Sequence, residues 1–196
     1  MGLPKRDDGR HSYGEYCQWP EDVRYELIDG FAYAMAPAPS PKHQMILLEL
    51  ARQVANALRD QSCRPFIAPF DVRLPKENEA DAEIDTVVQP DLCVVCDPQK
   101  LDEHGCRGAP DWVLEVLSPS TASHDQIQKR RVYECAGVRE YWLVHPTDGI
   151  VTIYRLEHGA YTMPDIRELK GTATVTVLPG LVVDWEQLPV PPKQMG

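Results

Sequence analysis

Apolar positions recur with two different periods along this chain. Asp111-Trp112-Val113-Leu114-Glu115-Val116-Leu117 is a nearly unbroken apolar run closed by Ser118-Pro119, the pattern of a strand buried on both faces. Thr86-Val87-Val88 and Leu92-Cys93-Val94-Val95-Cys96 are shorter runs of the same kind. Arg24 to Ile28 and Phe31 to Met35 flank Asp29-Gly30. Asp-Gly tolerates positive φ, so these two segments predict a hairpin with a tight primed turn. Helical spacing governs Pro41 to Asp60, where Met45, Leu48, Val54 and Leu58, with Leu47 and Ala51, recur. Ser40 is placed as its N-cap and Pro41 at its first position. A second helix is predicted over Asp125 to Ala136, with Ser123 and Gln126 in capping-box spacing and Gly137 as terminator. A short helix is predicted over Ser12 to Gln18. Arg64 to Leu74 reads as extended, and Glu140 to Val144 and Ile150 to Leu156 as successive strands. Further short strands follow near Tyr161, Thr174 to Val177 and Leu181 to Val183. Helices among strands, with no internal repeat, predict an α/β (α+β) domain: a central mixed β-sheet flanked by helices, with an N-terminal hairpin. Residues 12–188 form this single domain, between a polar N-terminal tail (1–11) and a Pro-rich C-terminal tail (189–196).

Length and composition narrow the classes. A chain of 196 residues suits one domain, and 43% hydrophobic with 26% charged residues excludes fibrous and disordered chains. Twenty Lys and Arg against thirty Asp and Glu leave a formal charge of −10, which argues against a protein that coats nucleic acid by bulk charge. A local basic patch, or a metal ion that reverses the field at one site, escapes that argument. No apolar run approaches the roughly 18 residues of a membrane helix. The start Met1-Gly2-Leu3-Pro4-Lys5-Arg6 lacks the apolar core of a signal peptide, and Arg6 stands where a myristoylation signal needs Ser or Thr. The chain therefore reads as cytosolic, and its six cysteines (Cys17, Cys63, Cys93, Cys96, Cys106, Cys135) as buried thiols in preference to disulfides. Cys93, Cys96, His104 and Cys106 supply four zinc-ligand types on paper. Cys93 and Cys96 lie in one apolar strand, however, where residues three apart face opposite ways, so zinc is disfavoured.

The chemistry centres on Glu115. A carboxylate buried in an apolar strand costs several kcal/mol unless it is paired, protonated or bound to a metal. Alternation places Val113, Glu115 and Leu117 on one side of the strand and Trp112, Leu114 and Val116 on the other. Asp91, after Pro90 at the start of the preceding apolar strand, would stand beside Glu115 if the two strands are neighbours, and the pair could then hold a divalent cation. The competing reading has Asp91 ending a turn and Glu115 paired with a structural arginine. Asp125, Lys129 and Tyr133, four apart, line one face of the second helix. Lys129 there can point back at the strand and compensate negative charge on a phosphate; otherwise Asp125 and Lys129 form an exposed ion pair worth about 0.3–0.5 kcal/mol. Lys129-Arg130-Arg131, with His124 nearby, is the densest positive cluster and a candidate phosphate-backbone contact, or else an ordinary solvated face.

Taken together, several stretches carry a resemblance. Tyr25-Glu26-Leu27-Ile28-Asp29-Gly30, Ser40-Pro41-Lys42-His43-Gln44, Gln89-Pro90-Asp91 and Glu115-Val116-Leu117-Ser118-Pro119-Ser120-Thr121 occur in this order. They are followed by Asp125, Lys129, Tyr133 and Gly137-Val138-Arg139-Glu140-Tyr141-Trp142. From about Tyr25 to Leu181 the chain resembles the Uma2 (DUF820) family of restriction-endonuclease-like proteins. The resemblance implies the PD-(D/E)xK nuclease fold and a Mg²⁺-dependent (or Mn²⁺-dependent) DNA endonuclease that leaves 5′-phosphate and 3′-hydroxyl ends. Carried across, Asp91 and Glu115 are the metal ligands. Position 117 is Leu where the superfamily has its lysine, and Lys129 on the following helix takes that role. Glu26 is placed as a third acidic group near the metal and His43 as a phosphate contact at a helix start, with Asp125 and Tyr133 supporting; a structural role for each stays open. Restriction-like nucleases often address two strands as symmetric dimers, so a homodimer is expected. The alternative class is a non-catalytic nuclease-fold module that binds nucleic acid or a protein partner. The acidic stretch Glu77 to Asp85 is longer than is usual in such relatives and reads as a solvated insertion, with repulsion of DNA or control of access as the alternative.

Overall fold

A computed structural model describes residues 9–20, 24–35, 38–119 and 121–189. Helix α1 (Tyr13–Tyr16) precedes the hairpin of β1 (Tyr25–Ile28) and β2 (Phe31–Ala34), and the long helix α2 (Pro41–Ala57) follows. Then come β3 (Arg64–Ile67), β4 (Val72–Arg73), β5 (Val87–Val88), β6 (Leu92–Val95), β7 (Leu101–Asp102), β8 (Gly105–Arg107) and β9 (Trp112–Val116). A π-helical turn (His124–Lys129) runs directly into α3 (Arg130–Ala136). The chain continues through β10 (Glu140–His145), β11 (Ile150–Glu157), β12 (Ala160–Tyr161), β13 (Asp165–Glu168), β14 (Thr172–Thr174) and β15 (Val182–Asp184).

The main sheet has the order β12-β11-β10-β9-β6-β3, with β13 also on β11. It is mixed: β9 and β10 run parallel, and the pairs β6–β9 and β3–β6 are antiparallel. Both of its faces are covered, as the apolar run over β9 requires. Trp112, Leu114 and Val116 pack with Leu47, Leu50 and Val54 of α2 on one face. Val113 and Leu117 pack with Val132 and Tyr133 of α3 on the other. The β1–β2 hairpin belongs to a second sheet, of order β2-β1-β5-β4-β8-β7.

The two sheets part at one seam. The extended stretch predicted over Arg64 to Leu74 divides at residues 68–71, between β3 in the main sheet and β4 in the second; opposite it, Gln89-Pro90-Asp91 joins β5 to β6. Pro69 and Pro90 have no N–H to give a ladder, so the pairing cannot continue unbroken through either segment. The last rung before the gap is Ala68 N–H to the Asp91 carbonyl, 3.2 Å.

Several expectations are corrected. Helix α2 is capped by the Ser40 side chain, which accepts from the His43 N–H at 3.2 Å, but it stops at Ala57, three residues early, because Leu58 leaves helical geometry and turns into the core. Helix α1 is shorter than Ser12 to Gln18. Ser123 makes no capping bond: it is already helical, and the helical segment starts upstream, where the Ala122 N–H bonds the Ser118 carbonyl and the Asp125 N–H the Thr121 carbonyl. Gly137 ends α3 in left-handed geometry (φ 89°), as predicted.

Two of the six cysteines are not thiols. The register Arg64↔Val95 brings Cys63 and Cys96 together just beyond the paired residues, and they form a disulfide. Cys93 and Cys106 are buried thiols, and Cys17 and Cys135 are exposed. The acidic stretch is also more than a solvated insertion. Asp81 binds Arg73 and Arg107, the Arg107 guanidinium donates to the Glu79 carbonyl at 2.7 Å, and Ile84 is fully buried beside Tyr13 and Leu27. These contacts clamp the loop onto the second sheet. Of the two predicted tails, residues 1–8 and 190–196 lie outside the described residues; Arg10 and His11 bond the Asp29 and Gly30 carbonyls of the hairpin turn.

Candidate active site

Strand pairing decides the first question. Leu92 of β6 faces Leu114 of β9 in an antiparallel register, so Asp91 and Glu115 are the next neighbours at the seam. The two residues bond reciprocally: the Asp91 N–H donates to Glu115 Oε2 at 3.1 Å, and the Val116 N–H donates to Asp91 Oδ2 at 2.8 Å. Asp91 Oδ2 also lies 3.1 Å from His43 Nε2, on the first turn of α2. The α2 terminus is thus fastened to the acidic pair from the opposite side of the sheet. Burial would lower the His43 imidazole, but the Asp91 carboxylate beside it outweighs this and raises it above its ordinary value.

The helical segment after β9 supplies the cation. Lys129 and Asp125 are buried, not exposed, and Lys129 Nζ stands 2.8 Å from Glu115 Oε1, 2.9 Å from Glu26 Oε1 and 3.8 Å from Asp125 Oδ1. Its remaining close acceptor is the Gln89 carbonyl at 3.4 Å. The Tyr133 hydroxyl donates to Glu115 Oε1 at 3.1 Å, so Lys129 and Tyr133 hold the same oxygen. Glu26 comes from β1 of the second sheet. Its Oε1 accepts from the Gln89 N–H at 2.8 Å and its Oε2 meets His124 Nε2 at 3.0 Å.

One lysine is therefore shared by three buried carboxylates, and the electrostatics follow. Burial would raise the Glu26 carboxyl, but Lys129, His124 and the Gln89 N–H bring it down to about 2. For Glu115, burial prevails: with Asp91, Asp125 and Glu26 close by, it sits well above the usual carboxylate range despite Lys129. Burial likewise lifts Asp125 to about 6. The Lys129 ammonium, which burial opposes, is held well above its ordinary value by Glu115, Glu26 and Asp125.

Glu26, Asp91, Glu115, Asp125, Lys129 and Tyr133 thus converge, with His43 on Asp91. Arg130 and Arg131 do not join them. Arg130 pairs with Glu134 at 3.4 Å and lies over the Tyr154 ring, while Arg131 reaches Asp29 in the hairpin turn. The zinc-ligand types do not meet either: Cys96 is bonded to Cys63, the Cys106 thiol lies 3.4 Å from the Gly108 carbonyl, and His104 is exposed. Among the described residues no three His, Cys, Asp or Glu side chains close around one point. Asp91 and Glu115 form a two-carboxylate donor set, which suits Mg²⁺, an ion that keeps several waters and takes one or two carboxylates. Three buried carboxylates around the Lys129 ammonium leave a surplus of buried acid, the kind a divalent cation relieves. Sequence reasoning missed two participants. His124 is legible only as part of a basic cluster, and Gln89 acts through its backbone, for which no side-chain pattern exists.

The comparisons agree with this architecture. A protein of the cyanobacterium Synechocystis sp. (strain ATCC 27184 / PCC 6803 / Kazusa), itself uncharacterised, is 32% identical over 143 residues, 71% of each chain. The crystal structure of a "putative nuclease belonging to DUF820" from Anabaena variabilis superposes with a TM-score of 0.71 at 21% identity, covering 90% of this chain and 96% of that one, and so shares its fold. The model of the Uma2 family, described as "Putative restriction endonuclease", matches residues 13–190, nearly the whole chain, and the protein belongs to that family.

Proposed function

We propose that this protein is a metal-dependent phosphodiester hydrolase acting on DNA, with Asp91 and Glu115 as the residues that hold Mg²⁺ or Mn²⁺. The observation that carries the reading is the reciprocal Asp91–Glu115 lock at the sheet seam, with Lys129 Nζ 2.8 Å from Glu115. When bound there, the ion supplies Lewis-acid polarisation of the scissile phosphate. Backbone N–H groups fix both carboxylates before any substrate arrives, so little reorganisation is left for the reaction. Lys129 supplies a fixed positive charge against negative charge developing on the phosphate. Tyr133 orients Glu115 through the hydroxyl at Oε1, and His43 orients Asp91.

The test is nicking of supercoiled plasmid by purified protein with Mg²⁺ or Mn²⁺. Asp91→Ala and Glu115→Ala are expected to abolish nicking while circular dichroism stays unchanged. With Ca²⁺, which holds the site without turnover, DNA affinity should rise and then fall as salt is added. Absence of divalent-ion binding together with no cleavage of any DNA or RNA form overturns the reading in favour of a non-catalytic module. Cutting both strands of a duplex calls for two sites, and a homodimer, measured by light scattering, is the assembly proposed to supply them.

A further inference from the structure

Both oxygens of the Glu26 carboxylate are engaged by groups of the protein. Its Oε1 takes both the Gln89 N–H at 2.8 Å and Lys129 Nζ at 2.9 Å, and its Oε2 faces His124 Nε2 at 3.0 Å. The residue is buried, and it reaches the site from the second sheet, across the seam where the two sheets part. Lysine is a compact charge on a flexible four-carbon stem with three donors, so its ammonium goes where acceptors hold it. Among the described residues the short contacts around Lys129 Nζ are Glu115 Oε1 at 2.8 Å and Glu26 Oε1 at 2.9 Å; Gln89 O and Asp125 Oδ1 are farther. Glu115 belongs to the acidic pair itself. Glu26 is therefore the one close partner that anchors the ammonium from outside that pair.

We propose that Glu26 is a positioning residue for Lys129. Braced by His124 and the Gln89 N–H, it draws the ammonium to a fixed point between the two sheets and stops it from collapsing wholly onto Glu115. Glu115 Oε2, which takes the Asp91 N–H, is then left on the side of Asp91. The β1–β2 hairpin thereby becomes part of the site. The catalytic consequence rests on the nuclease reading, whereas the placement of Lys129 does not.

Two measurements test the proposal separately. The first is the rate at which Lys129 is reductively methylated, read by peptide mass spectrometry, with the more exposed Lys76 and Lys170 as internal references. Glu26→Gln keeps the shape and removes the charge, and should speed Lys129 labelling relative to those references by about tenfold or more, the loss of one charge-assisted hydrogen bond. Unchanged labelling in a folded Glu26→Gln variant overturns the proposal. If that variant does not fold, Glu26→Asp carries the test: its carboxylate keeps the charge one methylene short, and Lys129 labelling must still rise. The second measurement is Mg²⁺-dependent nicking. Glu26→Gln should lower kcat with little change in KM for DNA, and should add nothing in a Lys129→Met background. Losses that multiply in the double variant show that Glu26 acts independently of Lys129 and also overturn the proposal. A wild-type protein that does not nick DNA sinks the nuclease reading alone, because labelling still decides the placement of Lys129.

Discussion

Replacing Lys129 by methionine keeps a stem of similar length and removes the ammonium shared by Glu26, Glu115 and Asp125. The size of the effect can be worked from Glu26. Its carboxyl sits at about 2 against an ordinary 4.5, a difference that converts to about 3 kcal/mol of folding stability at about 1.36 kcal/mol per pH unit. Lys129 is the largest of the favourable causes, with His124 and the Gln89 N–H contributing the rest. Glu115 loses its ion-pair partner in the same step, and breaking a buried pair by removing one member typically costs about 3–5 kcal/mol. The expected loss for Lys129→Met at neutral pH is therefore about 3–5 kcal/mol. The sign with pH is fixed. A carboxyl whose folded value is depressed stabilises above its unfolded value, and that stability is lost as pH falls through the folded value. In the variant, the abandoned carboxylates must instead bind protons in order to fold, which is costly only where the unfolded chain has already released them. The gap between wild type and Lys129→Met is thus widest at neutral pH, closes as pH falls toward 4.5 and the variant's cost of binding protons disappears, and shrinks further toward pH 2 as Glu26 of the wild type is protonated. Urea denaturation of both proteins at pH 7.5, 5.5 and 4.0 and constant ionic strength measures it. A gap below about 1 kcal/mol at pH 7.5, the range of an exposed pair, or one that widens on acidification, refutes this picture of the site.

Two further substitutions probe the frame around the site. Glu140 is fully buried at the start of β10, where its Oε1 accepts from Trp142 Nε1 at 2.6 Å and its Oε2 from the Thr176 and Val177 N–H groups at 2.9 and 3.2 Å. Glu140→Ala leaves those donors unpaired inside the core, and should cost about 3 kcal/mol or more in chemical denaturation; retention of wild-type stability would mean that water replaces the carboxylate. Gly105 has φ +118°, and a Cβ there would come within 2.2 Å of the Asp71 carbonyl oxygen. Gly105→Ala should therefore cost about 2 kcal/mol or more, read as a drop in Tm of several degrees, and an unchanged Tm would show that β8 and the 68–71 segment can move apart freely.

What the sequence discloses about this fold follows from the range over which each interaction acts. The two faces of β9 are a local property, because alternation within five residues sends Glu115 to the side of α3 and Trp112, Leu114 and Val116 to the side of α2. The same holds for Asp125, Lys129 and Tyr133, whose spacing keeps them on one inward face even though a π turn runs through His124–Lys129. The hairpin turn, the Ser40 cap and the Gly137 terminus are likewise written in single residues. Strand partners are not. Cys63 meets Cys96 only because β3 runs antiparallel to β6 in one particular register, and no spacing along the chain encodes that choice. Glu26 and His124 are 98 positions apart and are joined by the meeting of two sheets at a pair of proline-broken segments.

Net charge shows the same limitation. A value of −10 counts every acid alike, wherever it lies. Glu26, Glu115 and Asp125 are buried around Lys129, so they shape the site and contribute little to the surface that an approaching phosphate backbone meets. The basic run, conversely, offers less than its three residues suggest: Lys129 is inside, Arg130 is paired with Glu134 and Arg131 with Asp29. Neither the acidic total nor the basic cluster therefore predicts how the protein would meet a nucleic acid. Under the proposed nuclease function, a divalent cation on Asp91 and Glu115 would supply much of the attraction for DNA, and affinity is expected to depend on the metal more than on any single surface arginine.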